Sequence, residues 1–262
     1  MIKRQDKGFS EGYNAITSLD DKENKTMMDF GVLALKKGGK YVDSEDKEKA
    51  YLLIKGKAIF QWGDCKVQVS RNSFLDENPC CLHVPAGVDI MVASLSDDTE
   101  ISVTRAYNDR TFPAKFYSQE ECMTVEGGKG ILGEASLRSI RTIFDLSNAP
   151  ESNLVLGEVV HMPGRWSSYP PHHHPQPEIY LYKFEPRQGF GYSEAAGNVY
   201  KVQNNDACII LSGDHPQVCA PGYAMYYIWA IRHLQNNPFN ERIYSDEHKW
   251  MLDKNAKIWP EK

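Results

Sequence analysis

Nowhere in the 262 residues does an apolar run approach the twenty or so needed to cross a bilayer as a helix. The opening Met1-Ile2-Lys3-Arg4-Gln5-Asp6 passes into polar residues without the apolar core of an export signal, so a cytoplasmic location is expected. Charge of one sign is also lacking. Thirty Lys and Arg are scattered among thirty-five Asp and Glu, for a net charge of −5. A nucleic-acid binder would gather its cations into a stripe, so neither nucleic acid nor a membrane is expected as a partner.

The six cysteines, Cys65, Cys80, Cys81, Cys122, Cys208 and Cys219, include no CxxC spacing, and Cys80-Cys81 are adjacent. That pattern excludes a zinc ribbon and argues against a disulfide frame, leaving reduced thiols. The glycine cluster Gly127-Gly128-Lys129-Gly130 lacks the spacing and the Lys-Ser/Thr ending of a phosphate loop and reads as a connector. Helical periodicity is scarce as well.

What is present is a succession of short β-branched and aromatic runs bounded by Gly, Pro, Asn and Asp, which is the pattern of an all-β sandwich or barrel. Strands are expected at 30–35, 51–62 with a break near Gly56, 65–70, 89–95 and 100–107 in the first half. The second half offers 154–161, 178–184, 207–211 and 223–231. Each set suits one small β-sandwich. The boundary falls in the mixed polar stretch 111–149, which gives two parts, 1–125 and 126–262. No clear sequence repeat relates them.

The densest chemical signal is Pro170-Pro171-His172-His173-His174-Pro175-Gln176-Pro177-Glu178, running directly into Ile179-Tyr180-Leu181-Tyr182-Lys183-Phe184. In an extended segment alternate side chains share a face, so His172 and His174 point together while His173 points away. The Pro-Gln-Pro bend can return Glu178 to them. Two imidazoles and a carboxylate make a mixed N/O site for a divalent first-row metal, Zn first, with Mn or Fe as alternatives. His215, in the turn Gly213-Asp214-His215-Pro216 after an apolar strand, is the candidate fourth ligand. The plainer reading is a solvated, proline-edged histidine loop, with His215 a turn residue.

These residues carry a resemblance. An HxH pair, a short gap, a Glu at a strand start and a later His are similar to the metal motif of cupins. Three further segments, Gly164-Arg165-Trp166-Ser167-Ser168-Tyr169, Gln188-Gly189-Phe190-Gly191 and Ala220-Pro221-Gly222-Tyr223-Ala224-Met225-Tyr226-Tyr227, narrow it. So does the terminal Asp246-Glu247-His248-Lys249-Trp250. Together they resemble the 5-deoxy-glucuronate isomerase family of myo-inositol catabolism, related to the 4-deoxy-L-threo-5-hexosulose-uronate ketol-isomerases. The likeness covers most of the chain after about Arg138.

The resemblance implies a bicupin of two jelly-roll barrels, the first a degenerate partner without an HxH. It assigns metal ligation to His172, His174, Glu178 and His215. It further implies a metal-dependent aldose–ketose isomerase that converts 5-deoxy-glucuronate to 5-dehydro-2-deoxy-gluconate, a sugar acid as small-molecule partner, and homo-oligomerisation as an option.

Alternation puts Tyr180 and Tyr182 on the face of Glu178, as acid or hydrogen-bond donors or as core packing. Tyr227 and His248 are further candidates from the matched segments. Arg165, where the family has a small or amide side chain, or Arg232 could hold the substrate carboxylate. An iron dioxygenase and a non-catalytic sugar-binding cupin are the rival readings.

Overall fold

The computed structural model describes residues 1–260, and apart from two short 3-10 turns its regular structure is all strand. The chain divides into two compact units: Lys7–Met123 with Ile143–Val155, and Met1–Asp6 with Thr124–Thr142 and Leu156–Lys262. Set beside contiguous parts 1–125 and 126–262, the units have exchanged two short segments. Hydrogen bonding explains each exchange.

Ile2–Lys3 pairs with Ala207–Cys208 and so extends the sheet of the second unit, where Arg4 also salt-bridges Asp206. The segment 143–155 is tied to the first unit through Glu48. This carboxylate is fully buried and accepts from His83 Nε2 (2.7 Å), Ser152 Oγ (2.5 Å), Asn108 Nδ2 (2.8 Å) and the Asn153 N–H (2.9 Å). Phe144 stacks flat on the His83 ring, 4.2 Å between centroids.

Burial alone would raise the pKa of Glu48, but the hydrogen bonds from His83, Ser152 and Asn153 outweigh it and hold the carboxyl below its ordinary range. A folded-state pKa below the unfolded one means stability that is present above the unfolded value, near about 4.3, and lost as pH falls through the folded value. Glu48→Ala is therefore expected to cost on the order of 3 to 5 kcal/mol at pH 7, read by chemical denaturation, with the deficit shrinking in acid. An equal deficit at pH 7 and pH 3 would contradict the assignment.

In the first unit the strand Glu48–Trp62 runs unbroken where a break was expected at Gly56. Gly56 instead marks the place where it changes partners. Before it the strand pairs with Cys81–Val84 and Thr99–Ala106, and after it with Cys65–Arg71 and Ile90–Ser94. Its φ of +96° and a space in which a Cβ would lie 2.7 Å from the Thr99 Cα both require glycine. Leu33, Tyr51, Leu53, Phe60, Leu82 and Val103 fill the core below.

The second unit has a seven-stranded sheet in the order Ile2–Lys3, Ala207–Ile210, Glu178–Glu185, Ala224–Arg232, Leu154–His161, Arg138–Phe144, Met123–Gly127. A four-stranded sheet, Trp166–Ser167, Gln217–Cys219, Phe190–Ala195, Asn198–Gln203, faces it. Hydrogen bonds from Tyr182 to Gln217 and between Tyr227 and Ser167 span the two. Gly127, expected in a connector, closes an edge strand, and Gly128 turns the chain with φ +76°.

The units share one local pattern. Lys49-Ala50-Tyr51-Leu52 follows Glu48, the first residue of the long strand of the first, and Glu178-Ile179-Tyr180-Leu181 opens the central strand of the second. Where the second has a carboxylate, the first has a fully buried ammonium. Lys49 Nζ donates to the carbonyls of Glu45 (2.6 Å) and Asp43 (3.3 Å) and lies 3.8 Å from the Asp43 carboxylate. Tyr51 and Arg105 complete the set around Asp43, the arginine at 2.7 Å. The first unit thus balances its interior acid with its own side chains.

Candidate metal centre and cavity

Strand alternation builds the site. Glu178 and Tyr180 share a face of Glu178–Glu185, and the register sets Ile231 opposite Glu178 and Trp229 opposite Tyr180 on Ala224–Arg232. All four line one cavity with Tyr227, Val159 and the histidines, about 430 Å³ of atom-free space counting the part open to solvent. Gly157 lets Trp229 lie against its neighbouring strand, since a Cβ there would sit 2.2 Å from the indole.

His172 and His174 both line this cavity, while His173 turns away, half exposed, with Nδ1 3.0 Å from Asp214. The Pro-Gln-Pro bend is held by Gln176, whose Nε2 donates to the Asn237 carbonyl (2.8 Å). His215 arrives from the turn ahead of Gln217–Cys219. Ligand atoms of His174, Glu178 and His215 all lie within 4.8 Å of one another. His172 stands beside this group, its ring 4.9 Å from that of His215.

The hydrogen bonds determine which nitrogens face inward. His172 Nδ1 donates to the Pro170 carbonyl (2.9 Å), His174 Nδ1 to that of Gln176 (3.0 Å) and His215 Nδ1 to that of Gly213 (3.2 Å). A carbonyl can only accept, so each ring carries a proton on Nδ1 and, as a neutral imidazole, keeps the Nε2 lone pair. Nε2 of His174 and of His215 lie 3.3 and 3.5 Å from Glu178 Oε2. Burial lowers the pKa of His215 against the pull of Glu178, and pushes that of His172 down to about 2, with His215 and Arg242 adding to the effect.

Neutral imidazole lone pairs aimed at a buried carboxylate repel one another unless a cation lies among them. The donor set therefore fits a divalent metal, and the carbonyl partners are the outer bonds that fix ligand orientation in such sites.

Three other expected residues stand elsewhere. Arg165 and Arg232 do not line the cavity: the Arg165 carbonyl accepts from the Cys219 N–H (3.1 Å), and Arg232 donates to the His233 carbonyl (2.5 Å). His248 sits beside Glu247 on the terminal 3-10 turn, away from the cavity. Strand order explains this, because 164–165 is a turn outside the sheets and Arg232 ends its strand.

The arginines that do line the cavity are Arg138 and Arg242. Alternation along Arg138-Ser139-Ile140 places Arg138 with Ile140 on the cavity face, a signal readable once that strand is recognised.

Of the tyrosines, Tyr180 and Tyr227 line the cavity, stacked at 4.4 Å, whereas Tyr182 lies behind them with its hydroxyl donated to Gln217 Oε1 (2.5 Å). Tyr227 Oη is 2.7 Å from Ser167 Oγ, and Tyr180 Oη is 3.0 Å from Ser168 Oγ. Burial raises the pKa of both phenols. For Tyr227 it is opposed by the two serines and by Arg138. His161, two residues along the strand from Val159, was not expected. Its ring meets the edge of Tyr227 at 5.3 Å, its Nε2 has no hydrogen-bond partner among the described residues, and burial with Arg138 pushes its pKa down to about 3.

The profile of the KduI/IolB family matches residues 1–251. The chain belongs to the KduI/IolB family. Among its relatives, the protein named 5-deoxy-glucuronate isomerase of Geobacillus kaustophilus HTA426 is 28% identical over 248 residues, covering 86% of this chain and 85% of the relative. That of Bacillus subtilis 168 is 23% identical over 250 residues, covering 87% and 89%. Among solved structures, an IolB-like protein from Salmonella typhimurium LT2 superposes with a TM-score of 0.83 at 20% identity over 94% of this chain and 97% of its own. The oxalate decarboxylase of Lactobacillus farciminis gives 0.63 at 11% over 91% and 86%. The fold is the all-β, two-unit architecture that the sequence predicts.

Proposed function

We propose that the protein is a cytoplasmic, metal-dependent aldose–ketose isomerase acting on 5-deoxy-glucuronate in inositol catabolism. The observation that carries the reading is the convergence of His174, Glu178 and His215 in a cavity lined by Tyr180 and Tyr227, in a chain of this family. The relatives' names support the isomerase class and its substrate. The absence of a disulfide among the six cysteines of the described residues accords with a reducing compartment.

His174, Glu178 and His215 would hold the ion, with His172 as the fourth donor facing the same space. When bound, a divalent metal would polarise the substrate's C1 carbonyl and C2 hydroxyl oxygens. The chain's own part is to keep water out and manage protons. Isomerisation moves one proton between two carbons and one between two oxygens. Tyr227 Oη, with its pKa raised by burial, holds its proton at neutral pH and serves as a donor toward one substrate oxygen, recovering a proton from the other as that hydroxyl becomes a carbonyl, while Ser167 Oγ at 2.7 Å orients the phenol. The stacked Tyr180 ring walls the site beside it.

The test is turnover of 5-deoxy-glucuronate followed by proton NMR, with and without prior chelation. The aldehyde signal should give way to a 2-keto product without oxygen uptake, and dialysis against chelator should abolish the conversion until metal is restored. Oxygen consumption, or undiminished turnover by chelated protein, would overturn the proposal.

A further inference from the structure

The cavity holds a second chemistry besides its cluster of donors. Arg138 is buried, with 8% of its surface exposed, and its guanidinium is fixed by bonds from Nη1 to the Ser136 carbonyl (2.7 Å) and from Nη2 to that of Tyr169 (3.4 Å). No carboxylate lies within ion-pair distance of it among the described residues. Two other buried arginines are matched by carboxylates: Arg141 lies 2.9 Å from Glu158 and Arg105 2.7 Å from Asp43.

A desolvated cation without a counter-ion is costly, and desolvation does lower the pKa of Arg138. Arg242, exposed and likewise without an acidic partner among the described residues, lines the same cavity and adds to that effect by repulsion. Two like charges are brought together where each destabilises the other, and an anion between them would relieve both. Guanidinium forks are the groups that match a planar carboxylate.

We propose that Arg138 and Arg242 form a carboxylate subsite that grips the acid end of a sugar acid while its carbonyl end reaches His174, Glu178 and His215. The identity of the ligand rests on the isomerase reading; the subsite itself rests on anion binding. It makes the cavity two-ended, a cation site and an anion site, so that a substrate must carry both a carbonyl and a carboxylate. A neutral aldose would meet the first and leave two guanidiniums unsatisfied.

D-Glucuronate, D-glucose and D-glucose 6-phosphate, titrated calorimetrically into zinc-loaded protein, test this without need of turnover. Glucuronate is expected to bind more tightly than either of the others. Arg242→Ala, an exposed position at which folding is not at stake, should weaken glucuronate by about 10- to 100-fold while leaving glucose affinity and zinc content unchanged. Arg138→Lys, which keeps the charge and loses the fork, should show a smaller loss of the same selectivity.

Wild-type glucuronate affinity in Arg242→Ala, an equal loss for glucose, or preference for the phosphate ester would each overturn the carboxylate assignment. The two proposals separate cleanly. Turnover of 5-deoxy-glucuronate with unchanged KM in both variants removes the subsite and leaves the isomerase. Glucuronate held through the arginines without turnover removes the isomerase and leaves the subsite.

Discussion

Replacing His215 by alanine is expected to release bound divalent metal and to lower kcat on 5-deoxy-glucuronate by about a thousandfold or more. Its Nε2 is one of three ligand atoms that lie within 4.8 Å of one another, and the variant leaves only His174 and Glu178 in that group. Even with His172 beside them, a first-row ion is held far less tightly once one of those three close donors is gone, and charge developing on the substrate oxygens then loses its counter-charge. His172→Ala should be milder, because His172 stands beside that group and not within it. Metal analysis and steady-state kinetics on both variants check the order. Wild-type kcat in His215→Ala would end the metal-site reading.

Tyr227→Phe is expected to reduce kcat by roughly 100- to 1,000-fold while metal content stays at the wild-type level. The substitution keeps the ring that stacks on Tyr180 and removes only the hydroxyl bonded to Ser167. Tyr182→Phe supplies the contrast. Its hydroxyl is spent on Gln217 behind the cavity, so the change should cost about 1 to 2 kcal/mol of stability and leave kcat within a few-fold. Because burial lifts the Tyr227 pKa above its ordinary 10, the protonated form is retained as pH rises through neutrality, and the wild-type profile should show no loss from this group below pH 10. Equal effects of the two substitutions would refute the role given to Tyr227.

The residues that were easiest to read from the chain are those governed by local rules. Alternation alone placed His172 and His174 on one side and His173 on the other, because an extended backbone admits no other arrangement. Glu178 was legible for the same reason, as the first residue of an aromatic strand. Arg165 misled because nearness in sequence to the histidines is not nearness in space, and its turn does not line the cavity. Arg138 and Arg242 were missed because they come from segments some 34 residues before His172 and 64 after Glu178, joined to the site only by sheet order.

Turn chemistry hid one further element. The hairpin joining Phe190–Ala195 to Asn198–Gln203 turns at Ala196-Gly197, both at positive φ, where an Asn-Gly pair would have announced it. Alanine carries no such signal, and the two polar strands that flank it carry little periodicity.

The exchange of segments between the two units bears on how such a chain could be divided. A fragment ending at residue 125 would retain Glu48 in its dry interior but lose Ser152 and Asn153, two of its four donors. A fragment beginning at 126 would leave Asp206 without Arg4 and expose the edge of Ala207–Ile210 that Ile2–Lys3 covers. A cut at that junction would thus leave each fragment an unfinished module, so neither is expected to reach the stability it has in the intact chain.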